Sequence, residues 1–223
     1  MTAIDGNALH REVARAALDA AATFGFALGG GVAWVTHGLV VRPTEDVDLF
    51  TDTDGAVAAA AEQVCDALTS AGFGIDSELA EADLSELFEG FDLDLREYQV
   101  SRDGAMVRLS LGRLDRRHVP VLLDVGPVLH MDDLVASKVA ALVNRRAVRD
   151  YIDVAAALDR YTQQELLRLA QLQDPGIDPD DIVEAGRYLD RLSDRRFQRY
   201  GLDAGQVASL RAKLAGWPRE RGG

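Results

Sequence analysis

The chain has 223 residues, of which 48% are hydrophobic and 27% are charged, and its formal net charge at pH 7 is −13. This acidity argues against broad, sequence-independent binding to nucleic acid, which depends on neutralising phosphates. The single cysteine, Cys65, excludes an internal disulfide, and no apolar run approaches the roughly 18 residues that a membrane-spanning helix needs. With no apolar signal region at the N-terminus, we expect a cytoplasmic protein that does not contact a membrane.

The first half of the chain alternates predicted helices and strands. Apolar residues at helical spacing predict an opening helix over residues 7–24, and a short strand over 26–28 ends at the glycines 29–31. The elements predicted next are a helix over 32–39, a strand over 45–50, a helix over about 55–71, and strands over 73–75, 99–102, 105–111 and 119–125. Asp103–Gly104 is a strong hairpin signal between two of these strands.

From Met131 the pattern is helical almost to the end, with breaks at 174–176 and at Gly201. A sheet followed by helices predicts an α+β protein with a helical C-terminal part. We divide it into an α/β core over residues 1–128 and a helical region over 129–223.

The strand predicted over 45–50 carries the most informative pattern. Its alternation places Asp46 and Asp48 on one face and directs Val47 and Leu49 into a core. Two carboxylates on one face repel each other unless a cation neutralises them, and Mg²⁺ binds through one or two carboxylates together with substrate phosphates. The glycine turn just upstream could hold phosphate with its backbone N–H groups. The combination suggests a nucleotide-dependent phosphoryl-transfer site.

A third carboxylate, Asp124, is the one acid in the apolar run 119–125. A buried acid is costly unless it is paired or bound to metal, so Asp124 on a strand beside Asp46 and Asp48 would complete a two-metal site. The alternative is that Asp124 lies at the exposed end of its strand.

Two runs of the sequence resemble the signatures of a known family. Gly30-Gly31-Val32-Ala33, followed by residues 42–49, is similar to the opening signature of the AbiEii-type nucleotidyltransferases, within the DNA polymerase β-like or minimal nucleotidyltransferase superfamily. Residues 133–153 resemble the second signature, in which a helix bearing a lysine leads to an Arg-Asp-x-x-Asp element. The chain departs from the superfamily at Val32, where a serine or threonine hydroxyl usually binds phosphate, so the turn would depend on backbone N–H groups or on Thr36 or Thr44.

The resemblance implies a mixed sheet flanked by helices, and it implies roles for the matching residues. Asp46 and Asp48 would hold two Mg²⁺ ions, and Asp124 would hold the ion that activates the acceptor hydroxyl. The nucleotide-binding residues would be Gly30, Gly31, Arg42, Thr44 and Lys138. Lys138 and Asp150 would complete the catalytic set, with Asp150 orienting Lys138 or an arginine, and Asp153 would be structural.

The implied activity is transfer of a nucleoside monophosphate from an NTP to an acceptor, expected to be tRNA or another RNA. The protein would act as the toxin of a toxin–antitoxin or phage-defence system, with a cognate antitoxin as partner. Two alternatives stay open. One is transfer to a small molecule such as an aminoglycoside, which the nine carboxylates within residues 76–97 would attract. The other is a nucleotide-binding regulator without turnover, which Val32 alone favours.

Arginines supply the candidate contacts for an RNA acceptor. Arg145, Arg146 and Arg149 flank the proposed Lys138–Asp150 site. Another set, Arg187, Arg191 and Arg195, is spaced i, i+4, i+8 on one face of a predicted helix. Asp190 and Asp194 could instead pair with this second set and leave a salt-bridged surface helix.

Overall fold

A computed structural model describes residues 3–76 and 95–221, with side-chain environments from residue 8 onward. Most of the acidic run within residues 76–97 therefore lies outside the described residues. The chain divides into two units. The first contains the residues up to Thr36 and Pro43–His130, and the second contains His37–Arg42 and the residues from Met131 onward.

The first unit is built on a mixed sheet. Its elements are α1 (Ala3–Ala20), a 3₁₀ turn (Ala22–Phe24), β1 (Ala27–Leu28), α2 (Gly30–Thr36), β2 (Asp46–Thr51), α3 (Ala56–Ser70), β3 (Gly74–Asp76), β4 (Leu95–Arg102), β5 (Ala105–Arg113), β6 (Val121–Leu123) and β7 (Gly126–Val128). The described strands lie in the order β3-β4-β5-β2-β1-β7-β6. The pairs β2–β5 and β1–β7 are parallel and the other pairs are antiparallel. The predicted α+β class is confirmed.

The alternation predicted for β2 is present in the structure. Val47 and Leu49 are fully buried, and Asp46 and Asp48, which alternate with them, are only partly buried. Helices α1 and α3 pack against strands of this sheet and supply its apolar cover. The predicted hairpin between β4 and β5 is also confirmed, because Asp103 and Gly104 both have positive φ values, of 54° and 78°, as a tight two-residue turn requires.

The apolar run over residues 119–125 differs from the single strand that we predicted. It forms β6, and Asp124 and Val125 then make a tight turn into β7. Periodicity alone did not reveal this turn, because every residue of the run except Asp124 is apolar or proline.

The second unit is helical in its described residues. Its helices are α4 (Met131–Arg145), α5 (Val148–Ala157), α6 (Gln163–Gln173), α7 (Pro179–Arg191), α8 (Asp194–Gln198) and α9 (Ala204–Lys213), followed by a 3₁₀ turn (Leu214–Gly216). Helix α4 packs against α5, α6 and α7, and α5 packs against α8 and α9. No helix among the described residues combines the length and the apolar character needed to cross a membrane.

The single helical face that we predicted for Arg187, Arg191 and Arg195 is wrong. Helix α7 ends at Arg191, and Leu192 and Ser193 have extended backbones before α8 begins. The two carboxylates that we expected to pair with these arginines have other partners: Asp190 binds Arg219, and Asp194 binds Arg211.

Candidate active site

The glycine turn lies directly beneath one carboxylate of β2. The amide of Gly29 donates a hydrogen bond to the backbone oxygen of Asp48 over 2.8 Å, which fixes β2 against the start of α2. Gly30 has a φ of 55°, and a Cβ atom at this position would lie 1.7 Å from Oδ2 of Asp48. Only glycine therefore fits here, because any side chain would occupy the space of the Asp48 carboxylate.

The other carboxylate of β2 is held by an arginine of the neighbouring strand. Asp46 and Arg108 are partners in the parallel register of β2 and β5. Nε and Nη2 of Arg108 lie 3.0 and 2.9 Å from Oδ1 of Asp46. This hydrogen bond and the charge of Asp46 raise the pKa of Arg108, and the charges of two further acids, Glu97 and Asp48, add to the effect. A pocket of about 260 Å³ opens beside the pair and is lined also by Gln99.

Hydroxyl groups near the turn have different environments. Thr36 donates to the backbone oxygen of Val32 over 2.8 Å, so its hydroxyl hydrogen is used inside α2. Val32 is 5% exposed and belongs to the core. Thr44 is different, because its Oγ1 is buried and, among the described residues, has no hydrogen-bond partner. Of these two hydroxyls, that of Thr44 is the one left for a ligand.

Asp124 does not lie where we predicted it. We expected it on a strand adjacent to β2, but β1 and β7 lie between β2 and the β6–β7 turn that carries Asp124. The register also separates them along the strands, since Leu28 pairs with Leu49 of β2 and with Val128 at the far end of β7. The Asp124 carboxylate is 57% exposed and pairs with Arg11 at 3.4 Å. This placement gives no support to a role beside Asp46 and Asp48.

In the second unit, Lys138 is the centre of a buried ion network. Its side chain is 9% exposed, and its Nζ lies 3.3 Å from Asp150 and 3.1 Å from Asp153, both of which are fully buried. Arg145 donates two hydrogen bonds to Asp150, of 2.8 and 2.9 Å. Although burial alone would raise the pKa of Asp150, the hydrogen bond from Arg145 and the charge of Lys138 lower it. The pairing that we predicted between Asp150 and Lys138 is therefore present, while its catalytic role stays a prediction.

Arg42 belongs to the same network. Its Nε and Nη2 donate to the two carboxylate oxygens of Asp153 over 2.7 and 2.6 Å, and its side chain is 4% exposed. A guanidinium with this bidentate pairing is committed to structure. Because the pairing uses only Nε and Nη2 of the guanidinium, the contact between Arg42 and a nucleotide stays a prediction.

The arginines that we predicted as RNA contacts in this region are also engaged. Arg145 is bound to Asp150, and Arg146 donates to Asp181 over 2.8 Å. Arg145 is nevertheless half-exposed, so part of its guanidinium faces solvent.

Sequence reasoning missed Arg108. The sequence pattern that could have revealed it is the alternation of Val107, Leu109 and Leu111, which places Arg108 on the face opposite the core. What the sequence lacked was the strand order, since only the pairing of β5 with β2 brings Arg108 to Asp46.

The oxygen atoms on the face of β2 that carries Asp46 and Asp48 suit a divalent cation. Carboxylate oxygens are ligands that Mg²⁺ prefers, and this face offers Asp46 and Asp48. The missing side chain at Gly30 leaves room for the Asp48 carboxylate beside the turn.

Comparisons with known proteins give one matching family and several similar folds. A family model described as nucleotidyl transferase AbiEii toxin, type IV toxin–antitoxin system, matches residues 14–198. The fold is similar to JHP933 from Helicobacter pylori (17% identity, TM-score 0.59, covering 94% of this chain and 90% of that one) and to a putative nucleotidyltransferase from H. pylori (17%, 0.57, 92% and 92%). It is also similar to MenT4, the nucleotidyltransferase toxin Rv2826c of Mycobacterium tuberculosis H37Rv (14%, 0.51, 98% and 95%). A comparison with curated proteins gave no match.

Proposed function

Because the chain belongs to the AbiEii family of nucleotidyltransferase toxins of type IV toxin–antitoxin systems, we propose that it transfers a nucleoside monophosphate from an NTP to RNA, with tRNA as the acceptor, in a Mg²⁺-dependent reaction. The family also implies a cognate antitoxin. The observation that carries the proposal is the placement of Asp48 over Gly30, with Asp46 on the same face of β2 and the unpartnered hydroxyl of Thr44 two residues before it.

In the proposed reaction, a hydroxyl oxygen of the acceptor forms a bond to the α-phosphorus of the NTP. The bond from that phosphorus to the oxygen bridging to the β-phosphate breaks, pyrophosphate leaves, and the hydroxyl proton passes to water. Asp46 and Asp48 would hold Mg²⁺, which would neutralise phosphate charge as the bond breaks.

The residues of the chain position the reactants. The carboxylate of Asp48 is held in one place because β2 is tied to Gly29 and because Gly30 leaves it room. Thr44 supplies a hydroxyl that can donate to a phosphate oxygen. Such fixed groups suit phosphoryl transfer, which depends mainly on positioning and on charge neutralisation.

Labelling of acceptors tests the proposal. We would incubate the purified protein with each α-³²P-labelled NTP and either total tRNA or a panel of aminoglycosides, with Mg²⁺ or with EDTA. We expect label in tRNA that needs Mg²⁺ and declines steeply with salt, because the protein carries a net charge of −13 and must bind RNA through local cationic groups.

Two variants serve as controls for this assay. Asp48→Asn should abolish labelling, and Glu62→Gln, which removes one exposed carboxylate from α3, should not change it. Label only in an aminoglycoside would replace RNA by a small-molecule acceptor. NTP binding without label in any acceptor would indicate a regulator instead of an enzyme.

A further inference from the structure

The pocket beside Asp46 has the size and the side chains of a small binding site. In the register of β2, β5 and β4, Asp46 pairs with Arg108 and Arg108 pairs with Gln99, so these three side chains project from one face of the sheet. Pockets that enclose drug-sized molecules measure roughly 300–1,000 Å³, so a volume of about 260 Å³ suits a smaller group such as one nucleobase. The residues that line the pocket are Glu45, Asp46, Gln99, Met106, Val107 and Arg108.

The guanidinium of Arg108 provides a planar surface in this pocket. Its Nε and Nη2 are bound to Oδ1 of Asp46, which fixes its orientation, while its side chain is 48% exposed. Unpaired RNA bases stack on the planes of arginine guanidinium groups as well as on aromatic side chains. Arg108 is therefore oriented in advance for a base to stack on it.

Two further side chains of the pocket can contact a stacked base. Met106 is 64% exposed, and a thioether makes favourable contacts with aromatic rings. The amide of Gln99 donates to Sδ of Met106 over 2.9 Å, although a thioether sulfur is only a weak acceptor. The edge of a base offers stronger acceptors and donors, so Gln99 can exchange this contact for hydrogen bonds to a base at little cost.

The position of the pocket relative to the glycine turn indicates which base it would take. The turn follows β1, on one side of β2, and Gly30 lies against Asp48. The pocket extends over β5 and β4, on the other side of β2. In phosphoryl transfer the attacking and leaving oxygens lie roughly in line with the phosphorus. With the pyrophosphate at the glycine turn, the attacking hydroxyl would therefore come from the side of β5 and β4.

We propose that this pocket holds the base of the acceptor nucleotide whose hydroxyl attacks the NTP. The base stacks on Arg108 and contacts Met106, and Gln99 binds its edge. This inference rests on the proposed function, because it concerns the RNA acceptor of that reaction. It makes Gln99 the residue that distinguishes one acceptor base from another, since an amide can donate and accept hydrogen bonds at the same time.

The methyl group of Met106 allows binding to be followed without turnover. The chain has three methionines, so protein labelled with [methyl-¹³C]methionine gives a simple NMR spectrum, in which Met106→Leu identifies the resonance. We would titrate this protein with RNA hexamers of adenosine, cytidine or uridine and with total tRNA, all in EDTA, and with each NTP in Mg²⁺ without RNA. We expect RNA to shift the Met106 resonance, because the ring current of a bound base acts on a nearby methyl group, and NTP alone to leave it unchanged.

A substitution of Gln99 tests its role in choosing the base. Gln99→Leu nearly keeps the size of the side chain but removes its hydrogen bonds. It should raise the Kd for the preferred hexamer about fivefold to tenfold and make the three hexamers bind alike, whereas a merely structural effect would weaken all three in the same proportion. The matched control Gln63→Leu, at an exposed position of α3, should change neither the Kd nor the preference. Circular dichroism would verify that each variant is folded.

The outcomes separate this inference from the proposed function. If RNA leaves the Met106 resonance unchanged, or if Gln99→Leu leaves the Kd within twofold of the wild-type value, the inference is overturned even where tRNA is labelled in the transfer assay. A shift caused by NTP without RNA would assign the pocket to the base of the NTP and would also overturn it. If RNA shifts the resonance and the base preference depends on Gln99, but no acceptor is labelled, the pocket binds an RNA base as inferred and only the proposed transfer reaction fails.

Discussion

Replacement of Asp153 by alanine should destabilise the second unit by about 3–5 kcal/mol, the cost of breaking a buried ion pair. Asp153 is fully buried and holds two cations, Arg42 and Lys138, whose side chains are 4% and 9% exposed. Without the carboxylate, the buried guanidinium of Arg42 loses the two hydrogen bonds to Asp153 that compensated its desolvation, and Lys138 keeps its contact with Asp150 but loses the one with Asp153.

Replacement of Asp150 by alanine provides a comparison for the size of this stability loss. It is also fully buried and also contacts Lys138, but its other partner, Arg145, is 49% exposed and can turn into solvent when the carboxylate is removed. Lys138 would keep its contact with Asp153. We therefore expect Asp150→Ala to cost about 1.5–3 kcal/mol, the range for a lost hydrogen bond to a charged group. The structure thus predicts an order for the two losses.

Urea unfolding followed by tryptophan fluorescence would measure both losses. Trp217 is buried in the second unit and donates to the backbone oxygen of Ile182, so it reports on that unit. Trp34→Phe would remove the signal of the first unit, and within the described ranges the Nε1 of Trp34 has no hydrogen-bond partner to lose. A double-mutant cycle with Arg42→Ala would isolate the direct coupling. A loss below about 1 kcal/mol for Asp153→Ala, as for a surface ion pair, would refute the reasoning.

Three further predictions concern charges. Arg108→Gln should lower the Kd for Mn²⁺, because the guanidinium bound to Asp46 competes with the metal; a higher Kd in calorimetry would mean that Arg108 holds the site together. The pKa of Asp150 is lowered in the folded protein, so its contribution to stability is complete above about pH 4 and declines as the pH falls through the folded pKa. Acid unfolding of Asp150→Asn should therefore depend less on pH in this range, and an unchanged profile would contradict the assignment. Reversal of two exposed arginines of the second unit, Arg195→Glu with Arg199→Glu, should reduce the labelling of tRNA without changing NTP binding, whereas equal labelling would exclude this surface from the acceptor site.

Local pattern was enough to predict β2 and the tight turn between β4 and β5. In β2 the alternation of Asp46 and Asp48 with buried residues could be predicted because each residue's face follows from its position in the strand. The turn at Asp103–Gly104 could be predicted because few residue pairs accept two positive φ values.

Strand order and long-range pairing could not be obtained in this way. Asp124 was misplaced because its apolar surroundings do not say which strand lies beside β2. The pairing of Arg42 with Asp153 could not be predicted because the two residues are 111 positions apart in the sequence. The start of β4 was placed too late, at residue 99, although the alternation of Tyr98 and Val100 with polar residues already extended to Glu97.

The close approach of Gly30 to Asp48 offers a way to inactivate the protein without altering its charges. Gly30→Ala would place a methyl group in the space of the Asp48 carboxylate and would also strain a backbone with positive φ. The displaced carboxylate would then be unable to hold the metal ion that we propose, while every acidic residue on the surface would be retained. Such a variant would be suited to producing the folded protein in living cells without the activity that we propose.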